Sequence, residues 1–583
     1  MEYRYIVLAG TTRSGNSRAA VDKHESALRA MGLRPCLTAG AARVFVSPET
    51  PVLVVPGGLA IGHVFFRDGT PAKPDALPTL SSPEQFARLM LAQCWGDYLL
   101  IQLCDGPAQR LEVLREPSGG VTCVYVLRGG SGFITSDISL ATGLGLYQRQ
   151  IDWEFIPQAL AYPHAKTTRT GLVGVRELLP GCSLLVGDKD ATVREDWSPW
   201  TFVASPHRHH DPHEAAVEIR TTVALVVKAW AETDKSILLE LSGGLDSSII
   251  ASCLRGTSAR VTCYNLVTPV PGADERRYAS LMADQLGVEL QTEKLGSGDA
   301  RFSFALPSSS IAPRVATLQY IVDLAMEKAA SAHGAVSFFS GGGGDTVFCY
   351  LRNAAPAADA LRERGIAAGL SAIHDLSALH QCTFWKAGRL TLRKLLQRED
   401  MRFKADSTFL DPSMSVDPPP RHPWLTAPAN ALVGDRERII DLAGTQVFRD
   451  ITLRSTTRPL RLPLLSQPVM EACLKVPTWM WISGGENRAI ARAAFADVLP
   501  RDILERKSKG SFTNYVGAVY RKNRHQIRDF LLQGYLHEHR LLDIGALERC
   551  FDAGAPPRDT SFMRIFSLCA TENWVRNQSG WST

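Results

Sequence analysis

Ser242-Gly243-Gly244-Leu245-Asp246-Ser247-Ser248 decides how this chain is read. It follows the apolar run Ile237-Leu238-Leu239-Glu240-Leu241 and precedes Ile249-Ile250-Ala251. That order predicts a buried strand, a glycine-rich turn and a helix start. Such a turn aims backbone N–H groups and a helix N-terminus at an anion. The two glycines let the backbone approach phosphate closely, and Ser242, Ser247 and Ser248 add hydroxyl donors. Asp246 is itself an anion, so at a phosphate site it implies a Mg²⁺ that bridges to the phosphates. No Gly-Lys-Ser/Thr ends the loop, which excludes the type that serves terminal phosphoryl transfer.

A second glycine run lies downstream. Ser340-Gly341-Gly342-Gly343-Gly344-Asp345 follows the apolar stretch Ala335-Val336-Ser337-Phe338-Phe339. Four successive glycines are entropically costly, and close approach to a ligand is the expected reason. Asp246 and Asp345 then sit at the carboxyl ends of two strands, where open parallel sheets bind ligands. Two carboxylates with triphosphate oxygens make a hard-cation site for Mg²⁺. Around these loops, helices are predicted near residues 214–233, 274–286 and 320–333, with strands at 261–267 and 335–339. Strands alternating with helices imply an α/β fold with a parallel sheet covered on both faces. From about Ala354 the chain is mainly helical, and the Pro-rich residues 403–430 predict a long, mobile loop.

The first 200 residues have a different texture. Short strand signals at 44–46, 52–55, 98–103, 121–126 and 133–135 are separated by Gly, Pro, Asp and Ser clusters. Residues 17–31 and 83–94 have helical apolar spacing. These features predict a mixed domain with mostly antiparallel strands. Residues 205–213 hold four histidines, His207, His209, His210 and His213, among prolines and charge. They read as an exposed linker rather than a metal site. The chain thus divides into residues 1–204, the linker 205–213, and residues 214–583.

The 583 residues suffice for about two to four domains. The net charge of +5 is small for this length and predicts no nucleic-acid partner. Nothing in the sequence is apolar for long enough to span a membrane, and the start lacks a signal region. The twelve cysteines are scattered without a CxxC pair, which predicts reduced thiols and a cytoplasmic protein.

The Ser242–Ser248 loop resembles the pyrophosphate loop of the ATP pyrophosphatases, which cleave ATP to AMP and pyrophosphate while activating a carboxylate or carbonyl. The wider chain resembles the asparagine synthetase B family, which includes β-lactam synthetases and lasso-peptide cyclases. Arg461-Leu462-Pro463-Leu464-Leu465-Ser466 resembles that family's Arg-x-Pro-Phe/Leu-Leu-Asp segment. Gly484-Gly485-Glu486-Asn487-Arg488-Ala489 resembles its Gly-Gly-x-x-Lys/Arg helix start, and Leu499-Pro500 with Arg506-Lys507-Ser508-Lys509-Gly510 its Leu-Pro…Arg-x-x-Lys-Gly stretch. Trp95-Gly96-Asp97-Tyr98, Arg115-Glu116-Pro117-Ser118-Gly119-Gly120 and Phe133-Ile134-Thr135-Ser136-Asp137 resemble landmarks of its glutaminase domain. The resemblance implies an N-terminal glutaminase-like (Ntn hydrolase-type) α+β sandwich. It also implies a C-terminal ATP-pyrophosphatase domain, adenine nucleotide alpha hydrolase-like, with a parallel sheet and a helical extension.

Site roles follow from the same resemblance. Leu241 and Leu266 would lie against adenine, with Ser340 and Gly341 nearby. Gly243, Gly244 and the serines Ser242, Ser247 and Ser248 would cradle pyrophosphate, and Asp246 and Asp345 would hold Mg²⁺. Lys509 matches the catalytic lysine, with Lys507 the alternative if the register differs by two.

Two departures redirect the function. A glutaminase of this type needs a thiol at a processed N-terminus, with the α-amine as local base. Residue 2 is Glu2 and no cysteine precedes Cys36, so glutamine hydrolysis is not expected. Gly342 stands where asparagine synthetases carry Glu and β-lactam synthetases a catalytic Tyr, and it opens space for a bulkier substrate. Lasso-peptide cyclases are the branch that combines a dead glutaminase domain with a peptide substrate. That branch implies a precursor peptide as substrate and a leader peptidase as partner. The rivals are a β-lactam synthetase-type ligase, an ammonia-dependent asparagine synthetase-like ligase, and a non-catalytic nucleotide-binding subunit. The general base is unassigned, with Asp450 a candidate. Arg449, Arg454, Arg458 and Arg461 read as a solvated basic face, with phosphate or an acidic peptide as the alternative contact.

Overall fold

The computed structural model describes residues 3–10, 18–39, 42–80, 82–104, 110–187, 189–270, 274–298, 300–314, 317–396, 401–450, 452–506, 512–553 and 561–580. The N-terminal part is a sandwich of two six-stranded antiparallel sheets. One sheet orders Arg176–Glu177, Val124–Arg128, Ser131–Thr135, Tyr5–Ala9, Ala42–Val46 and Arg34–Ala39. The other orders Ala191–Glu195, Cys182–Val186, Arg110–Arg115, Cys94–Cys104, Gly58–Phe66 and Val52–Val55. Strand alternation builds the core between them: Tyr5 and Val7 face Leu59, Ile61, Leu99 and Ile101, while Ile6 and Leu8 face outward onto helices.

The longest strand missed in the sequence is Gly58–Phe66. Gly62 disguised it as a loop. Its φ is +112°, and a Cβ there would lie 2.1 Å from the Asp97 carbonyl of the paired strand. The glycine marks close cross-strand approach, not a turn. The strand expected at 121–126 begins only at Val124.

The second part is built on a five-stranded parallel sheet. Its order is Leu290–Lys294, Arg260–Val267, Ser236–Glu240, Ser337–Phe339 and Leu460–Arg461. The short edge strand Leu460–Arg461 gave no sequence signal, because two residues carry no periodicity. Ser236–Glu240 and Ser337–Phe339 are neighbours, paired Ile237 to Ser337 and Leu239 to Phe339. The two glycine loops therefore leave adjacent strands at the same edge of the sheet.

The helix expected at 214–233 runs Pro212–Asp234. Pro212 opens it, and the Asp211 carboxylate accepts from the His213 backbone N–H at 2.7 Å, an N-cap. Its Trp230 meets Phe65 and Trp95 of the sandwich edge-on, at 5.0 and 6.2 Å between ring centroids. One apolar core thus runs from the sandwich through this helix to the parallel sheet. His209 pairs with Glu218 at 2.6 Å. Among the described residues, no group of three or more His, Cys, Asp or Glu side chains is arranged to hold a metal ion.

Residues 403–430 are irregular apart from one turn at Pro423–Leu425, but they are pinned rather than mobile. Trp424 is fully buried, and Trp200 Nε1 donates to its carbonyl at 2.7 Å. Eleven of the cysteines, among them Cys36, Cys94 and Cys263, are free thiols. Among the described residues, no helix is long and apolar enough to cross a membrane.

Candidate active site

A cleft of about 1000 Å³ opens at the carboxyl edge of the parallel sheet. Ser242, Gly244, Asp246 and Ser247 line it from one loop, and Ser340 through Asp345 from the other. Gly243 shapes the first loop. Its φ is +67°, and a Cβ would lie 2.5 Å from Tyr278 Cβ and 2.6 Å from Ala279 N. Ser247 Oγ accepts from the Ser242 N–H at 3.3 Å and meets Ser242 Oγ at 3.1 Å, which holds the turn closed. Ser248 is fully buried, away from the cleft lining, and its hydroxyl has no hydrogen-bond partner among the described residues.

The four-glycine run has a different cause from the one expected. A Cβ on Gly341 would lie 2.9 Å from Ser247 N, and one on Gly344 would lie 2.4 Å from Asp246 Cγ. These glycines let the second loop pack directly against the first. Gly343 has φ +87° and abuts Leu465. Gly342 is the least crowded of the four, although a Cβ there would still lie 3.1 Å from Leu462 Cδ2 and 3.7 Å from Phe448 Cδ2.

The packing brings Asp246 and Asp345 together. One nitrogen, Arg488 Nη1, donates to Asp246 Oδ1 at 3.0 Å and to Asp345 Oδ1 at 2.8 Å. Two carboxylates that one cationic nitrogen can bridge would be spaced to share a metal ion, and the open cleft would leave room for phosphate oxygens beside them. Arg488 holds this position because it has φ +54° at the start of the helix Ala489–Ala494, and its guanidinium lies 5.1 Å from the Tyr350 ring.

A second arginine braces the loop. Arg506 donates to the Gly243 carbonyl at 3.1 Å and to Glu275 at 2.6 Å, and stacks 4.1 Å from the Tyr278 ring. Lys507 and Lys509 follow it in sequence but lie outside the described residues. Arg352 and Arg492 add further positive charge to the cleft wall. The far wall is Ala378, Leu379, His380 and Gln381, at the turn after the helix Ile366–Leu379. None of that wall had a local sequence signal, since it comes from a helical extension remote in sequence. Arg488 was visible in its motif, but its bridging position depends on a positive φ that sequence does not announce.

Leu241 and Leu266 do not line the cleft. The Leu241 side chain is buried in the main core, and its N–H and C=O are bonded to Tyr264 O and Asn265 Nδ2 at 2.9 and 2.7 Å. Leu266 packs against apolar clusters elsewhere in the fold.

The basic stretch is not a solvated face. Arg461 is 2% exposed; it bonds Asp234 at 2.9 and 3.0 Å, Tyr3 Oη at 2.8 Å and Asp97 at 3.3 Å, and stacks 4.0 Å from the Trp230 ring. Arg449 faces Asp97 at 3.8 Å, Arg454 pairs with Asp323 and Glu240, and Arg458 with Glu327. Four cations at helical spacing here find carboxylates on neighbouring elements, buried at Asp97, Asp234 and Asp323 and half-buried at Glu240 and Glu327. Asp450 is also spoken for: Lys166 and Arg314 pair with it, in a separate cavity of about 80 Å³. Asp450 lies outside the cleft lining.

That smaller cavity lies between the sandwich and the parallel sheet, and Phe448 lines both it and the cleft. Tyr3, Asp97, Arg449 and Arg461 line it. Glu116 lies beside this cluster, fully buried. Burial first, then the Asp97 charge, push its carboxyl up to about 7, against hydrogen bonds from Ser118 and Gly120.

Residues 218–576 match the asparagine synthase family. The chain belongs to the asparagine synthase family. The match covers more than half of the chain and includes both glycine loops, Arg488 and Arg506. Among curated proteins the chain is similar to amidase chyE of Penicillium rubens, 23% identical over 331 residues, covering 52% of this chain and 48% of that protein. The chain thus spans about half the length of the curated relative it matches. Two solved structures are also similar. The allosteric regulatory enzyme of purine biosynthesis is 8% identical, covering 53% of this chain and 78% of that one, with a TM-score of 0.18. Glutamine phosphoribosylpyrophosphate amidotransferase from B. subtilis, complexed with ADP and GMP, is 10% identical, covering 58% and 84%, with a TM-score of 0.19. Scores this low support no inference.

Proposed function

We propose that this protein is an AMP-forming, ATP-dependent C–N ligase of the lasso-peptide macrolactam synthetase kind. The observation that carries the ligase reading is the convergence of Asp246 and Asp345 on one cation at the edge of the parallel sheet. A side-chain carboxylate of an Asp or Glu in a precursor peptide attacks the α-phosphorus of ATP and expels pyrophosphate. Bound Mg²⁺, held by Asp246 and Asp345, would offset the charge that opposes this attack. Backbone N–H groups of the 242–248 turn receive the pyrophosphate, and Arg506 keeps that turn in place through the Gly243 carbonyl. Arg488 lines the same cleft and would add positive charge there for the phosphates. Lys509 is assigned to the charge developing at the acyl-adenylate. Adenine is assigned to the part of the cleft beside Ser340 and Gly341, since Leu241 and Leu266 do not line it.

The nucleophile is the peptide's own N-terminal amine, which closes an isopeptide ring. Two features favour this over ammonia. A buried ion cluster of Tyr3, Asp97, Arg449 and Arg461 sits where the sandwich, read as a degenerate glutaminase-like domain, faces the synthetase part. Gly342 puts no side chain into the cleft it lines. Holding amine and acyl-adenylate together makes the closing step intramolecular, which contributes roughly 7–11 kcal/mol. A leader peptidase is the expected partner and the cytoplasm the expected compartment.

The test follows the carboxylate oxygen. A precursor peptide with heavy oxygen in its acceptor carboxylate should transfer one labelled atom to AMP as the ring forms. Label in inorganic phosphate, with ADP as product, would refute adenylation.

A further inference from the structure

The helix Phe384–Leu396 starts three residues after Gln381, which lines the cleft. It buries Ala387 and Thr391 and turns an apolar row outward. Trp385 is 82% exposed, Leu392 59% and Leu396 84%. Spaced by seven and four residues, they share one face of the helix. Arg389 lies on the same face, and Lys386 and Arg393 flank it, all exposed. The helix has no acidic residue, and its fourth cation, Lys394, pairs with Glu437 at 2.5 Å. The partner helix Ile366–Leu379 runs antiparallel, so its exposed Ile366 and Leu370 fall at the same end as Leu392 and Leu396. An exposed tryptophan with aligned leucines is a costly surface for a protein to carry without use.

We propose that this ridge docks an acidic segment, apolar at intervals, of the peptide whose carboxylate is activated in the cleft. The charge selects an acidic occupant, and the apolar row supplies anchors of the kind that dominate peptide interfaces. From Trp385 to Leu396 the ridge is about 16 Å long. An extended segment of about five residues covers it. The ridge begins beside the His380–Gln381 wall, so a peptide lying along it runs on into the cleft mouth. This inference rests on the peptide-ligase reading above and adds where the substrate is held outside the reacting centre.

The test titrates the full chain against a fluorescein-labelled synthetic peptide of glutamates with leucine and phenylalanine at every third position, read by anisotropy. A lysine counterpart is the control. The acidic peptide should bind and the lysine peptide should not. Trp385→Ser, Leu392→Ser and Leu396→Ser combined should weaken binding at least about tenfold, as should Arg389→Glu with Arg393→Glu. Binding of a fluorescent ATP analogue should be unchanged in both. If the triple variant lowers the melting temperature, the charge reversal and Trp385→Gln alone decide. Equal binding by the variants overturns the proposal. So does binding to anionic phospholipid vesicles with no peptide bound, or a concentration-dependent dimer that the triple variant abolishes. Peptide docking on the ridge without AMP release from any peptide would leave the ridge standing and defeat the ligase reading. AMP release and ring closure that ignore every ridge variant would do the reverse.

Discussion

Arg461→Met tests the joint between sandwich and synthetase. The guanidinium donates twice to Asp234 and also to Tyr3 and Asp97, while its side chain is 2% exposed. Methionine keeps most of the stem against Trp230 but removes the charge. Asp97 retains Arg449 at 3.8 Å, whereas Asp234 loses both of its bonds to Arg461. Breaking a buried pair from one side costs about 3–5 kcal/mol, because the remaining carboxylate is left uncompensated. Calorimetry should therefore show the melting temperature falling by several degrees. Adding Asp234→Asn should restore part of the loss, since a neutral amide does not need the cation. A single variant within about 1 kcal/mol of the parent, or a double variant worse than the sum, would refute the account of this cluster.

Four further outcomes follow from the structure. Glu116 has a folded pKa of about 7, raised above its ordinary value. It therefore contributes stability that is full below the ordinary glutamate range and lost as pH rises through about 7. Glu116→Gln should flatten that slope in urea unfolding measured from pH 5 to 8. Gly343→Ala places a methyl 2.4 Å from Leu465 Cγ at φ +87°, so it should destabilise by roughly 2–5 kcal/mol, while Gly342→Ala should melt near the parent. Gly342→Phe should fold yet reject bulky substrates in a pyrophosphate-release assay. Asp345→Asn should lower pyrophosphate release about a hundredfold or more while the protein stays folded.

The parts of the site closest to the sheet were legible because they are local. A strand, a glycine turn and a helix start within a dozen residues define the Asp246 loop, and the same pattern repeats at Asp345. The three central strands follow from alternating strands and helices, whereas Leu290–Lys294 was not read and the edge strand Leu460–Arg461 is too short to show a period. Legibility failed where partners are remote. Four arginines between Arg449 and Arg461 look like a wet face until Asp97, Asp234, Asp323 and Glu327 arrive from other elements. The glycine run at 341–344 signalled close approach correctly but not its object, which is the first loop itself. Leu241 shows the converse limit: its position in the motif is clear, yet its side chain belongs to the core.

The most direct measurement mixes the protein, ATP with Mg²⁺, a leader protease and a precursor peptide bearing a free N-terminal amine after cleavage and an acidic acceptor side chain. Mass spectrometry of the peptide and chromatography of the nucleotides are read together. The account predicts that the core peptide loses one water mass as AMP appears, and that Asp246→Ala abolishes both. AMP formed with free aspartate and ammonia, or ring closure that persists in Asp246→Ala, would contradict it.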